Sequence, residues 1–120
     1  MNKGEKEMKY KTRIVSELMD FSDALRGVKK GKKIQRKGWN GRNMFVVYQK
    51  GYPKGIPCNE QTAAAFGLKP GENFVCLPYL QIRNVDGSHA MWVPSISDLL
   101  ADDWVFIETY VEGPNDEACE

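Results

Sequence analysis

The chain has 120 residues, which is enough for one domain with a buried core but too few for two. Its 42% apolar content is typical of a globular protein, and no apolar run approaches the ~20 residues that cross a bilayer. A net charge of +1 disfavours a nucleic acid as the partner, because nucleic-acid binders usually carry a dense basic stripe. Three cysteines without C-x-x-C spacing argue against a disulfide framework and a zinc site, and they predict a cytoplasmic location.

The amino-terminal part divides into a polar segment and a helix. Residues 1–13 are rich in Lys and Glu, and we expect them to be mobile or weakly helical. A helix follows, with Ser22 as its expected N-cap. Its apolar positions fall at the spacing i, i+3, i+4 and i+7, which places them on one face. They are Phe21, Ala24, Leu25 and Val28.

The central part predicts a hairpin, a loop and a short helix. Strands are expected over 32–39 and 44–50, joined at Asn40-Gly41, a dipeptide that favours tight hairpin turns. The Gly- and Pro-rich stretch 51–57 is expected to be a loop. Residues 59–66 predict two helical turns that begin at Asn59 and end before Gly67.

The distal part predicts a long strand, a second hairpin, a helix and a final strand. Residues 74–84 read as the longest strand, with Pro78 marking an edge or a bulge. Asp86-Gly87 predicts a turn into a strand over 89–93. Ser95 opens a capping box, and 104–111 form the last strand. The predicted fold is α+β, an N-terminal helix packed on a mostly antiparallel five-stranded sheet with short helical insertions.

We expect three parts: a polar extension over 1–18, a single ligand-binding domain over 19–112, and an acidic disordered tail over 113–120. Candidate ligand-binding residues concentrate at the first hairpin turn. Flat rings next to forked cationic donors and amides suit a small, planar, anionic ligand such as a nucleotide. These residues are Trp39, Asn40, Gly41, Arg42 and Phe45. The alternative is a hairpin whose Trp covers the edge of the core, as most tryptophans do.

Other candidates lie farther along the chain. Tyr79 and Trp92 could stack on bases, and Arg83, like Arg36, could meet a phosphate. Ser95 and Asp98 lie at a helix start, where free N–H groups attract anions. Core packing, solvated strand positions and a plain capping box are the competing interpretations of these residues.

Groups for catalysis are scarce. His89 is the one histidine of the chain, there is no G-x-S-x-G motif, and Gly38–Gly41 is not a phosphate-binding loop. We therefore expect neither catalytic residues nor a cofactor, and no metal at Asp98, Asp102 and Asp103.

Two blocks of the sequence resemble the Thoeris anti-defence 2 family. The first runs through Lys29-Lys-Gly-Lys-Lys-Ile34, Arg36-Lys-Gly-Trp-Asn-Gly41 and Met44-Phe45. The second contains Leu77-Pro-Tyr-Leu80, Asp86-Gly87, Trp92-Val-Pro-Ser95 and Asp98-Leu-Leu-Ala-Asp-Asp-Trp104. The resemblance covers residues 19–107.

The resemblance implies a small phage protein that acts in the cytosol of the infected bacterium as a sponge. It would bind a cyclic ADP-ribose isomer made by an immune enzyme, and some members also bind cyclic dinucleotides in a separate pocket. It further implies a homotetramer with pockets between subunits, in which Trp39 and Asn40 line the signal pocket, with Phe45 and the Ser95–Asp98 turn nearby. One alternative is an enzyme that degrades the nucleotide through His89 or the acidic residues of 98–103. The other is a protein-binding module whose interface is the aromatic turn over residues 36–45.

Overall fold

The computed structural model describes residues 9–39 and 43–112, apart from the side chain of Lys9. The strands are β1 Lys9–Ile14, β2 Lys33–Arg36, β3 Phe45–Gln49, β4 Tyr52–Pro57, β5 Asn73–Cys76, β6 Tyr79–Arg83, β7 His89–Met91 and β8 Trp104–Glu112. The helices are α1 Phe21–Lys29, α2 Glu60–Phe66 and α3 Ile96–Leu100. The α+β class is confirmed. The five-stranded sheet with an N-terminal helix is wrong, because β1 precedes α1 and the described residues form eight strands in two sheets.

The larger sheet has six antiparallel strands in the order β1-β8-β2-β3-β6-β7. The long strand β8 organises it, because its first half pairs with β2 and its second half pairs with β1. The expectation of a mobile or helical start is therefore wrong for residues 9–13. Tyr10, Thr12 and Ile14 alternate with charged residues, which is the period of a strand, and β8 supplies the partner backbone.

Helix α1 covers one face of the larger sheet, and the core lies between them. Phe21, Ala24 and Val28 are buried, which confirms the predicted apolar face. Beneath the helix, Ile34, Val46 and Ile82 stand side by side on β2, β3 and β6. Strand residues alternate between faces, so the neighbours of these three along each strand point to the opposite side.

Asp20, rather than Ser22, caps the start of α1. The Asp20 carboxylate accepts a hydrogen bond from the Asp23 N–H at 2.9 Å. The chain is fixed just before this point, because the backbones of Met19 and Trp104 exchange two hydrogen bonds of 2.8 and 3.0 Å. The helix therefore starts at Phe21, and Ser22 lies within its first turn.

The stretch 51–57, expected to be a loop, contains strand β4, which pairs with β5 in a two-stranded sheet. Both strands of such a sheet are edge strands, so the prolines of β4 are tolerated. The expected long strand over 74–84 is also two strands, β5 and β6, which belong to different sheets. The break falls at Pro78, because proline has no N–H to continue the ladder.

Several local predictions are confirmed. Asn59 caps α2, Gly67 follows it with a φ of +72°, and Asp86-Gly87 turns between the antiparallel strands β6 and β7. Residues 113–120, predicted to be a disordered tail, lie outside the described residues. No helix in the described part of the chain is long and apolar enough to cross a membrane.

Candidate functional site

The aromatic turn begins where the chain leaves β2 at Arg36. The Lys37 N–H donates to the Asp103 carbonyl at 2.9 Å, and the Trp39 N–H donates to the Arg36 carbonyl at 3.1 Å. The second bond closes a tight turn, so the expected strand over 32–39 ends three residues early. Trp39 thereby leaves the plane of the sheet and folds back towards the helix side.

Four aromatic rings form one cluster on that side. The ring of Trp39 lies 5.4 Å from Trp104 and 6.3 Å from Trp92, both edge-on, and Phe21 lies 5.3 Å from Trp104. Trp104 is fully buried, whereas Trp39 and Trp92 are half-buried. Edge-to-face contacts of this kind fix the plane of each ring. The cluster therefore serves the core through Trp104 and still presents part of two indoles to solvent.

An ion-pair network of Arg36, Asp98 and Asp103 holds the aromatic turn in place. Arg36 Nε donates to Asp103 Oδ1 at 2.8 Å, and Arg36 Nη1 donates to Asp98 Oδ1 at 3.1 Å. The second oxygen of Asp103 accepts the Gly38 N–H at 3.0 Å. One guanidinium thus ties the end of β2 to two points of the distal segment. The sequence suggested Arg36 as a phosphate ligand, but in the structure its guanidinium forms ion pairs with two carboxylates.

The network lowers the pKa of both carboxyl groups. The hydrogen bond from Arg36 is the main cause for Asp103, and the Gly38 N–H adds to it. Burial alone would raise the pKa of Asp98, but hydrogen bonds from Ser95 and Arg36 outweigh burial. Hydrogen bonds to Asp103 and Asp98 in turn raise the pKa of Arg36. All three groups are charged at neutral pH.

Helix α3 positions Asp98 through the predicted capping box. The Ser95 hydroxyl accepts the Asp98 N–H at 3.1 Å, and Asp98 Oδ2 accepts the Ser95 N–H at 2.9 Å. The Asp98 carbonyl accepts the indole N–H of the buried Trp104 at 2.8 Å. Ser95 and Asp98 therefore hold the turn and the core together, and both carboxylate oxygens of Asp98 have protein partners.

The sequence candidates divide between the two faces of the larger sheet. Trp39, Trp92, Ser95 and Asp98 come together on the helix side. Phe45 and Arg83 precede and follow the helix-facing Val46 and Ile82, so they lie on the other side, paired across β3 and β6. Tyr79 lies farther along β6 and is paired with Gln49.

The opposite face carries a cleft of about 400 Å³. It is lined by Tyr10, Lys11, Thr12, Lys33, Asn43, Phe45, Arg83, His89 and Thr109. The sequence analysis named Phe45 and Arg83 as candidates but placed Phe45 with Trp39, because only five residues separate the two along the chain. The contribution of β1 was missed, since its charged residues concealed the alternation of a strand.

Asn40, Gly41 and Arg42, predicted to bind the ligand, lie outside the described residues. The sequence analysis considered Asp103 only as a metal ligand, because its bracing role depends on contacts across 65 to 67 positions. No group of three or more His, Cys, Asp or Glu within residues 9–39 and 43–112 is arranged to hold a metal ion.

Comparison of the sequence with known proteins identifies the family of this chain. A family model described as a Thoeris anti-defense 2-like domain matches residues 19–107, the range that the resemblance covers. A protein named Thoeris anti-defense 2, from Bacillus phage SP01, is 34% identical over 90 residues. That alignment covers 72% of this chain and 91% of the phage protein. The chain therefore belongs to the Thoeris anti-defense 2-like family.

Proposed function

We propose that this chain is a phage anti-defence protein that binds a cyclic nucleotide immune signal in the host cytosol and holds it intact. The signal class is a cyclic ADP-ribose isomer. The observation that carries the proposal is that both blocks of the family resemblance meet in space, since Gly38 and Trp39 contact Asp103 and Trp104. Two distant segments with a shared family pattern are brought together around one partly exposed aromatic surface.

The aromatic cluster suits a purine ring. The planes of Trp39 and Trp92 are already fixed by edge-on contacts, so little conformational entropy is lost when a base stacks on them. Stacking of a base on an aromatic side chain is worth roughly 1–3 kcal/mol. Asn40 and Arg42, one and three positions after Trp39 in the sequence, carry side-chain donors of the kind that binds a diphosphate.

Binding without turnover is favoured by the state of the ionisable groups. Asp98 and Asp103 are ion-paired with Arg36 and have lowered pKa values, so they are poor proton donors at neutral pH. His89 lies on β7 and lines the cleft on the opposite face of the sheet. The groups that an enzyme would use are therefore occupied or distant from the aromatic cluster.

We further propose a homotetramer with signal pockets between subunits. Large apolar side chains are exposed along the segment that runs from β7 to α3. Exposed apolar patches usually mark an interface. Val93 is 83% exposed and Leu100 is 76% exposed, with Met91 and Ile96 close to these values. A second copy that covers this surface would also enclose the aromatic turn, which α3 braces through Asp98.

The proposal is tested by calorimetric titration of cyclic ADP-ribose isomers into the wild type and two variants. Trp39→Ala is expected to weaken binding by about tenfold or more, equivalent to roughly 1.4 kcal/mol. Phe66→Ala is the matched control, because this aromatic residue is 77% exposed on α2 in the region of the smaller sheet. Equal affinity in the wild type and Trp39→Ala would contradict the site, and no binding of any isomer would contradict the function.

A further inference from the structure

Two backbone carbonyls just before β3 accept hydrogen bonds from side chains of other strands. Arg83 Nη1, on β6, donates to the Asn43 carbonyl at 3.1 Å. Gln35 Nε2, on β2, donates to the Met44 carbonyl at 2.7 Å. Asn43 and Met44 form the second side of the aromatic turn, whose first side carries Trp39. Strands β2 and β6 therefore hold this second side together.

Asn43 has a backbone conformation that needs such support. Its φ of +63° is the one positive φ of a non-glycine residue in the described ranges 9–39 and 43–112. Asparagine adopts this left-handed region more readily than most residues, but it is still uncommon there. Such a conformation persists when the surrounding structure determines it. The bond from Arg83 does so, together with a contact of 3.4 Å from the Asn43 side-chain amide to the Tyr10 carbonyl.

The guanidinium of Arg83 is itself held in place. Its Nη1 also donates to the Asn84 carbonyl at 3.2 Å, and its Nη2 lies 3.4 Å from the position that a Cβ on Gly87 would take. The pKa of Asp86 is lowered, mainly by hydrogen bonds from Ser88 and in smaller part by the charge of Arg83. Arg83 therefore connects the β6–β7 turn to the aromatic turn.

Gln35 lies next to Arg36 on β2, and the two side chains act on different sides of the aromatic turn. Neighbouring residues of a strand point to opposite faces of the sheet. Arg36 binds Asp103 on the helix side, and Asp103 holds the first side of the turn. Gln35 bonds to Met44 from the opposite face. Two adjacent residues of β2 thus fix the two sides of one turn.

We propose that Arg83 and Gln35 are positioning residues for the signal site, which they preorganise by holding the second side of the aromatic turn. This inference rests on the proposed function, and it gives Arg83 a role other than the phosphate contact expected from the sequence. Residues 40–42 are all that separates Trp39 from Asn43, so the position of Asn43 restricts where the chain next to Trp39 can lie. If Asn43 and its neighbour were released, both would have to be ordered again when a ligand binds, which lowers affinity.

Calorimetric titration with the cyclic ADP-ribose isomers measures the effect on affinity. Arg83→Met and Gln35→Met keep an unbranched side chain but lose the donors, and each is expected to weaken binding roughly fivefold to tenfold. Arg26→Met is the control for charge, because Arg26 is exposed on α1. Gln49→Met is the control for the amide, because Gln49 bonds to Gln81 on the same face of the sheet. Both controls are expected to bind like the wild type.

A double variant separates a shared role from two independent ones. Arg83 and Gln35 hold adjacent residues of one short segment, so the loss of either bond weakens the hold of the other. The double variant is therefore expected to bind no more than about twofold more weakly than the weaker of the two single variants. Losses that multiply would mean that the two side chains act separately, as they would if Arg83 contacted the ligand directly.

A measurement without ligand tests the positioning role by itself. Amide hydrogen exchange, followed by mass spectrometry, is expected to be roughly tenfold faster in peptides over 37–44 of Arg83→Met and Gln35→Met. Peptides from α1 and β8, and the melting temperature, are expected to match the wild type. A side chain that only stabilised the fold would instead affect exchange throughout the chain.

The inference is overturned if folded Arg83→Met and Gln35→Met bind the isomer as tightly as the wild type, if their losses multiply, or if exchange over 37–44 keeps its wild-type rate. Gln35→Met decides alone should Arg83→Met not fold. A wild type that binds no isomer would contradict the proposed function instead, and the exchange rates would still show whether the two side chains hold the turn.

Discussion

Arg36 and Asp103 join the two chain segments that build the aromatic site. The guanidinium Nε donates to Asp103 Oδ1 at 2.8 Å, while Asp103 Oδ2 accepts the Gly38 N–H at 3.0 Å, one residue before Trp39. Both groups are less than one-third exposed. A partly desolvated pair with an additional backbone donor is stronger than a surface ion pair. Asp103 therefore positions the turn that carries Trp39.

The first prediction concerns this carboxylate. Asp103→Asn keeps the shape of the side chain but removes its charge, and we expect the free energy of unfolding to fall by about 1–2 kcal/mol at neutral pH. Urea unfolding followed by tryptophan fluorescence measures the change. Asp102→Asn is the matched control, since this neighbour is exposed and its substitution should cost less than about 0.5 kcal/mol. Equal losses in the two variants would show that Asp103 is not a specific brace.

The second prediction concerns acid. The pKa values of Asp98 and Asp103 are lowered in the folded chain, whereas an Asp in an unfolded chain titrates at about 3.9. Below that value the unfolded chain binds protons first, so this part of the stability is present above about pH 5 and is lost as the pH falls below about 4. Asp103→Asn should lose less stability than the wild type over the same interval. Parallel pH profiles for the two proteins would contradict the link.

How far the sequence predicts the fold depends on how local each cause is. The caps at Asn59 and Ser95, the turn at Asp86-Gly87 and the apolar face of α1 follow from neighbouring residues, and all are confirmed. Strands β1 and β4 are stabilised by pairing with distant partners. Their charged residues and prolines gave no local indication of that pairing.

The third prediction concerns the buried Trp104. Trp104→Phe leaves a cavity and removes the indole N–H that satisfies the Asp98 carbonyl, so we expect a loss of about 2–4 kcal/mol in unfolding free energy. Trp92→Phe is the comparison, because Trp92 is half-buried and should lose less. Differential scanning calorimetry of the two variants measures the difference. If Trp104→Phe lost less stability than Trp92→Phe, the conclusion that the Trp104 indole is the centre of the aromatic cluster would be wrong.

The fourth prediction compares two glycines with the same backbone conformation. Gly51 and Gly67 both have a φ of +72°, which strains an alanine by about 1–2 kcal/mol. A Cβ on Gly67 meets nothing within 4 Å, whereas one on Gly51 would lie 2.7 Å from the carbonyl carbon of Leu77. Gly51→Ala should therefore cost more than about 3 kcal/mol, and Gly67→Ala close to the strain alone. Similar melting temperatures in the two variants would contradict the close approach of β4 to the end of β5.

The candidate site was predictable in its parts but not in its arrangement. The composition of the turn indicates aromatic and anion-binding chemistry, and Trp39 and Trp92 do lie together. Phe45, six residues after Trp39, lies on the other face because the chain turns at Arg36 and re-enters the sheet at β3. That turn is set by Asp103, a contact across 67 positions that no local pattern reveals.

The central claim is that the chain captures a cyclic nucleotide signal without changing it. The most direct test is to mix the protein with each cyclic ADP-ribose isomer, filter, and analyse the filtrate by HPLC, then heat the retained protein and analyse what it releases. The account predicts that one isomer disappears from the filtrate and returns unaltered on heating, and that Trp39→Ala leaves it in the filtrate. An isomer that returns altered would show an enzyme, and a filtrate that keeps every isomer would show that the site does not take this ligand.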